Sequence, residues 1–413
     1  MYLVYQLGIY LYYAFIAFAS LFNQKAKLWI VGRRAQKAVL KTKLAEAKRI
    51  WFHFASLGEF EQGRSVLEQV HQKYPDHKII ISFFSPSGYE IRKNYALAEK
   101  VYYLPLDTPK NAKQFLDHIN PSLIFFTKYE YWFHYFNEAE KRNIPLFVIS
   151  SIFRENQLFF KSYGGFQRKI LGLVKHFFVQ NEKSKNLLGS IEIKNVTIAG
   201  DTRFDRVYEH SLNPTNDDCI TQFSKDSAVF VAGSTWPKDE ELIFNFYKTN
   251  AKLKFIIVPH EVNSTTKNSL LNLFGDNAFL YTEFKNKEIP KDKRVLIVDT
   301  VGLLNSIYKI AKYTYIGGGF GVGIHNTLEA AAYGMPIFFG PNYHKFSEAK
   351  DLIRIGSAHS ITSSKELEQL IANFEDDINN YLSTSKNAKD YVYTQKGATK
   401  IILDYIQKEG LIY

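Results

Sequence analysis

Two carboxylates in this 413-residue chain stand where a base would be useful. Glu59 follows the apolar run IWFHFA (50–55) and the link Ser56-Leu57-Gly58, and Glu130 follows SLIFFT (122–127) and Lys128. In both places a run that reads as a buried strand gives way to a polar turn. A carboxylate there can take a proton from an attacking hydroxyl as general base. It can equally sit in the first turn of a helix and favour the dipole, and Glu130 can equally pair with Lys128. Spacing alone leaves these readings open. Glu61, beyond Phe60, cannot share the direction of Glu59 on a helix and reads as a solvated charge.

A second group of residues suits an anion. YIGGGFGVGIHNTLEAAAYGMPIFFGP (315–341) runs from a strand through glycines, including Gly318 and Gly319, to His325, Asn326 and Thr327 and then a helix. Glycines let backbone N–H groups approach a ligand, and a helix start favours phosphate. Glu329, in the first turn, is placed to reach a sugar hydroxyl. The alternative is an ordinary tight strand–helix turn. The stretch is neither G-x-G-x-x-G nor Walker A, so no dinucleotide or ATP site is indicated. In GSTWPKDEE (233–241), Ser234 and Thr235 either bond a phosphate or cap a helix. Arg203 in GDTRFD (200–205) meets an anion or pairs with Asp201 or Asp205. His260 ends another strand-like run. No cluster has metal-ligand spacing, so neither metal nor cofactor is expected.

The elements that must carry these residues alternate. IWFHFA, KIIISFF (78–84), SLIFFT, LFVISS (146–151) and HFFVQ (176–180) read as strands, with helices between them such as 62–73 and 111–118. A second series holds AVFVAGS (228–234), KFIIVPH (254–260), VLIVD (295–299), YTYIGGG (313–319) and PIFFG (336–340). Alternation of this kind predicts parallel sheets with helices on both faces. The fold class is therefore α/β, with two doubly wound domains and a ligand cleft at the carboxyl ends of the strands. The polar stretch 209–226 reads as the linker, and a last helix at 385–408 is expected to pack back on the first domain.

From Tyr2 to Phe22 there is no charged residue. Some 20 apolar residues, at about 1.5 Å each, reach across a hydrocarbon core of about 30 Å. Five tyrosines in this stretch favour the headgroup level. Lys25, Lys27, Arg33, Arg34, Lys37, Lys41 and Lys43 follow. A membrane anchor with cytoplasmic domains after it is the reading, with a buried first helix as the alternative. The net charge of +11 then has an anionic lipid surface to meet, and nucleic acid is not the expected partner. A single cysteine, Cys219, rules out a disulfide within the chain.

Together these pieces resemble the 3-deoxy-D-manno-octulosonic acid (Kdo) transferases of lipopolysaccharide synthesis, glycosyltransferases of the GT-B class. ASLGE (55–59) resembles the family's A-S-x-G-E, and SPSGYE (85–90), with Ser87 and Gly88, its T-P-T-G-S-E. YLPLD (103–107) is similar to Y-L-P-Y-D. KYEYW (128–132) is similar to E-T-E-L-W, and GDTRFD to G-N-x-K-F-D. AGST (232–235) matches A-G-S-T, and GIHNTLEAAAYGMPIFFGP resembles G-G-H-N-x-L-E-P-A-A-x-G-x-P-V-x-x-G-P.

The resemblance implies a GT-B architecture. It divides the chain into an anchor and basic flank (1–34), an acceptor domain (35–208), a linker (209–226), a CMP-sugar domain (227–384) and a returning helix (385–413). It implies transfer of Kdo from CMP-Kdo to the lipid A precursor at the cytoplasmic side of the inner membrane, inverting and without metal. Glu59 is then the base and Glu130 a required partner, with Ser56, Gly58, Ser87, Gly88 and Lys128 on the acceptor side. Arg203, Ser234, Thr235, His260, Gly318, Gly319, His325, Asn326, Thr327 and Glu329 fall to the donor. The pattern departs where the family's P-R-H-P is PHEVN (259–263), where its histidine after G-S-T is Trp236, where Arg203 replaces its lysine and where Phe133 replaces its proline. Rival readings are a GT-B enzyme using a UDP-sugar on a lipid-linked acceptor and an inactive sugar-nucleotide binding protein.

Overall fold

The computed structural model describes every residue except 286, 290, 291 and 413. The chain forms two compact units, Met1–Arg206 with Lys396–Tyr413, and Val207–Gln395.

The first unit is built on β1 (Arg49–Phe54), β2 (Lys78–Phe83), β3 (Ala98–Tyr103), β4 (Leu123–Thr127), β5 (Leu146–Ser151), β6 (His176–Val179) and β7 (Val196–Ile198). They form one sheet in the order β3-β2-β1-β4-β5-β6-β7, and every pairing is parallel. The central strands are buried along their whole length, as parallel strands covered on both faces must be. Chain order reverses between β1 and β4. In such sheets ligands bind in the crevice beyond the strand ends at that switch.

The second unit repeats the plan. β8 (Val229–Thr235), β9 (Lys254–Pro259), β10 (Ala278–Leu280), β11 (Val295–Ile297), β12 (Ala311–Ile316), β13 (Ile337–Phe339) and β14 (Ala358–Ser360) pair in the order β10-β11-β9-β8-β12-β13-β14, all parallel. Its switch lies between β8 and β12. Two Rossmann-like doubly wound units are the components of the GT-B fold class. The short or partly exposed strands β3, β10 and β14 escape the sequence reading because their apolar runs are brief.

The helix read from the sequence as 62–73 begins earlier, at Leu57, includes Glu61 and runs to Lys73. Glu61 is not a solvated charge. Arg92 (2.7 Å), Arg206 (3.0 Å) and Arg64 (3.5 Å) surround it, and Arg64 also binds Glu68. The single helix expected at 385–408 is two, Ile378–Gln395 and Ala398–Lys408. Asp205 causes the break by accepting the N–H groups of Gly397 and Thr399, at 2.5 and 2.8 Å. The second of these helices packs on the first unit through Ile402, Leu403 and Ile406. Residue 413, the end of that segment, lies outside the described residues. The stretch 209–226 contains the end of the helix Thr202–Leu212 and the helix Asp218–Ser224.

The N-terminal helix, Tyr2–Ala19, is long and apolar enough to cross a membrane. One face of it lies on the first unit. The Tyr5 hydroxyl donates to buried Asp107 at 2.5 Å, and the rings of Tyr12 and Tyr13 meet Trp29. Leu3, Leu7, Leu11, Phe15, Phe18 and Phe22, spaced by three or four, stay exposed. Arg33 departs from the basic flank read as lipid-facing. Its guanidinium lies 3.7 Å above the Trp29 ring and donates to the carbonyls of Leu104 and Phe84, each at 2.8 Å. Burial lowers its pKa to about 9. It clamps the helix Gln24–Gln36 to the sheet.

Candidate active site

All seven residues assigned to catalysis or the acceptor come from three adjacent strand ends. Ser56, Gly58 and Glu59 follow β1, Ser87 and Gly88 follow β2, and Glu130 follows β4. Lys128, the seventh, is the residue after β4 and takes a left-handed φ of 67°. Ser56 caps the helix Leu57–Lys73, its Oγ accepting the N–H of Gly58 at 3.2 Å. Its hydroxyl donates to Oε2 of Glu59. Glu59 is half-buried, third in the helix, and so combines the dipole position with an oxygen fixed by a neighbour. Ser87 is exposed in the first turn of the helix Pro86–Arg92.

Glu130 is held by a network reaching into the core. Its Oε2 accepts from Nε2 of His53 at 3.0 Å and from Nε1 of Trp132 at 2.8 Å. His53 is fully buried in β1, and its Nδ1 meets Ser82 Oγ of β2 at 2.8 Å. Trp51 Nε1 donates to the same Oγ at 2.7 Å. His53 and Ser82 are register partners. His53 is not among the candidate residues that the sequence pattern points to. The available signal was that His53 and Ser82 interrupt otherwise apolar runs in neighbouring strands.

Asp107, the last residue of YLPLD, is a second supporting group. Besides Tyr5 it accepts the N–H groups of His134 and Tyr135 at 3.1 and 3.2 Å, at the start of the helix Phe133–Lys141. Burial raises its carboxyl to about 6, against the lowering effect of these hydrogen bonds. Arg203 belongs to this unit as well. It pairs with buried Asp201 through Nη2 at 2.8 Å and Nε at 2.9 Å, and Gln62 holds the other oxygen of Asp201 at 2.8 Å.

The donor residues of the second unit gather at the ends of β8, β9 and β12. Ser234, with a φ of 56°, and Thr235 end β8. The Thr235 hydroxyl donates to buried Glu240 at 3.0 Å, and the expected cap of the next helix comes instead from Asp239, which accepts the N–H of Trp236 at 2.9 Å. Asp239 also accepts from the Tyr315 hydroxyl at 2.6 Å and from the N–H of Gly318 at 2.8 Å. The Gly318 amide is therefore committed to a buried carboxylate, where the sequence had suggested a phosphate contact. Gly318 has a φ of 92°, and a Cβ on Gly319 would stand 2.5 Å from the backbone of Gly340. These glycines serve the shape of the turn.

Three rings meet beside this turn. His260 stacks near-parallel on both Trp236 (4.8 Å) and His325 (4.3 Å). Trp236 Nε1 donates to His325 Nε2 at 3.0 Å. An indole nitrogen only donates, so Nε2 of His325 is unprotonated and Nδ1 carries the proton. Burial, then His260, lowers the His325 pKa to about 4. Asn326 donates to Glu329 at 3.0 Å and accepts the N–H of Leu328 at 3.1 Å. Thr327 Oγ1 is buried with no hydrogen-bond partner among the described residues. Among the described residues no group of three His, Cys, Asp or Glu is placed to hold a metal.

Residues 30–206 match the family described as 3-deoxy-D-manno-octulosonic-acid transferase (kdotransferase). The chain is 26% identical over 408 residues to a bifunctional glycosyltransferase/methyltransferase of Fusobacterium nucleatum, covering 94% of this chain and 61% of that relative. It is 26% identical over 362 residues to a 3-deoxy-D-manno-octulosonic acid transferase of Rickettsia bellii, covering 86% of this chain and 84% of the relative. Among solved structures, the UDP-GlcNAc 2-epimerase of Neisseria meningitidis bound to UDP-GlcNAc superposes with a TM-score of 0.55 at 16% identity, over 87% of this chain and 100% of that one. That likeness concerns the fold alone.

Proposed function

Since this chain belongs to the Kdo transferase family, we propose that it transfers Kdo from CMP-Kdo to the lipid A precursor with inversion and without a metal. The observation that carries this reading is the pair Glu59 and Glu130, both at the strand ends flanking the β1/β4 switch. The CMP leaving group needs no strong acid, whereas the acceptor hydroxyl must lose a proton as it attacks. Glu59, with Oε2 bound to the Ser56 hydroxyl, takes that proton. Base and leaving group then act on opposite faces of an oxocarbenium-like centre, as in inverting glycosidases.

The donor binds the second unit. The His260–Trp236–His325 stack and the Thr327 hydroxyl are its recognition groups, replacing the arginine that PHEVN lacks. Gly319, Ser234, Asn326 and Glu329 line the same strand ends. The acceptor binds the first unit, beside Ser87, Gly88 and Lys128. The exposed stripe Leu3 to Phe22 enters the cytoplasmic face of the inner membrane. Because Tyr5 and Tyr12 hold the helix to the unit in its first turn and at its middle, it lies in the interface.

The test is CMP release by purified protein from CMP-Kdo with a tetraacyl lipid A precursor in detergent. Release dependent on both substrates is expected, and none with active donor present refutes the reading. A thermal shift by CMP and not by UDP is expected, and the reverse would favour a UDP-sugar enzyme.

A further inference from the structure

The buried chain behind Glu130 has a direction set by its donors. Trp51 Nε1 can only donate, so it occupies one lone pair of Ser82 Oγ (2.7 Å). Ser82 is fully buried, and His53 Nδ1, at 2.8 Å, is the acceptor available to its hydroxyl proton. A proton on Nδ1 would leave that hydroxyl hydrogen without an acceptor in the core, an arrangement buried polar groups avoid. Nδ1 is therefore the acceptor, and Nε2 carries the ring proton toward Glu130 (3.0 Å). Oε2 of Glu130 takes this N–H and that of Trp132 (2.8 Å). Trp132 is itself stacked on Phe84, with centroids 5.1 Å apart. Among the described residues Oε1 has no hydrogen-bond partner. Glu130 also lines a cavity of about 280 Å³ together with Tyr129, Tyr131, Trp132 and Phe159, an aromatic wall suited to a sugar ring.

We infer that His53 is a positioning residue: Ser82 sets its tautomer, and its Nε2–H fixes Glu130 so that Oε1 alone is left to accept a hydroxyl of the sugar substrate. This rests on the reading of Glu130 as an active-site carboxylate. The ring keeps its Nε2 proton throughout the reaction and transfers none. It limits the rotation of a side chain that would otherwise turn in the cavity.

Two variants separate this role from simple packing. In His53→Gln the amide nitrogen stands near the place of Nε2 and can still donate to Glu130. In His53→Asn the amide stands near Nδ1 and reaches only Ser82. Loss of orientation at a reacting centre costs about 100-fold, so kcat is expected to fall by about that factor in His53→Asn, within about tenfold in His53→Gln, and with donor KM unchanged in both. Equal losses in the two variants, or wild-type rates in His53→Asn, would overturn the proposal. Side-chain ¹⁵N NMR of the wild-type protein, assigned by the signal missing in His53→Gln, reads the tautomer without turnover. A neutral Nε2–H ring that becomes mixed in Ser82→Ala is expected; an Nδ1–H or doubly protonated ring refutes the inference even where a variant fails to fold. If the wild type transfers no Kdo, the functional reading falls, while the NMR result still decides the orientation of Glu130.

Discussion

The two switch points have the same topology and opposite furnishings. At β1/β4 the strand ends present carboxylates, Glu59 and Glu130, each with an oxygen already bound by a neighbour. At β8/β12 the carboxylates Asp239 and Glu240 are buried, Asp239 turned inward onto the glycine turn and Glu240 onto Thr235, and the polar surface is left to rings and hydroxyls. A parallel sheet supplies a crevice and amide ends wherever chain order reverses. What the crevice does is decided by which side chains the next turn leaves pointing outward. A proton acceptor must reach the substrate, whereas a loop that holds an anion must first be rigid.

The largest test of this contrast is Glu59→Gln. It keeps the contact to Ser56 and removes the base, so kcat is expected to fall by about 10²–10⁴-fold with no change in unfolding temperature, measured by CMP release and calorimetry. Wild-type rates would leave Glu59 as a helix-dipole residue. In the second unit the corresponding change, Asp239→Ala, should act on stability first. It strands the Tyr315 hydroxyl and the N–H groups of Trp236 and Gly318, a loss of about 3 kcal/mol, visible in denaturant unfolding and accompanied by weaker protection by CMP.

The two regions should also answer pH with opposite signs. Asp107 has a folded pKa raised to about 6, so between pH 4 and 6 the folded state holds the proton more tightly and stability falls as pH rises. His325, lowered to about 4, stays neutral in the fold where the unfolded ring is charged, so its contribution rises with pH from 4 to 6.5. Stability profiles of Asp107→Asn and His325→Gln are expected to lose, respectively, a falling and a rising component relative to wild type. The smallest effect is that of Ser56→Ala, which removes a cap and the hydroxyl on Glu59 and should cost about 1 kcal/mol in thermal unfolding.

Much of this was legible along the chain. The long apolar runs marked β1, β2, β4, β5, β8, β9 and β12, because a strand buried on both faces shows as an unbroken run. Their ends placed Glu59, Glu130, Ser234 and His325 at turns. The partner of each was not legible. For Arg203 the sequence leaves an anion contact and a pair with Asp201 or Asp205 both open, and the structure pairs it with Asp201 in the first unit. Glu61 was read as a solvated charge and is enclosed by three arginines, two of them from other helices. The last helix was read as continuous, although its break depends on Asp205.

Local pattern thus determined the fold class, the strand ends and the residue types available at them, since apolar runs, glycine turns and helix starts depend on neighbours in sequence. The tertiary structure decided which of those residues are free to meet a ligand. His53 reaches Glu130 across 77 positions and Asp239 reaches Gly318 across 79. Hydrogen bonds of that range exist only once the sheets have formed, and buried donors and acceptors must be satisfied before any remain for chemistry.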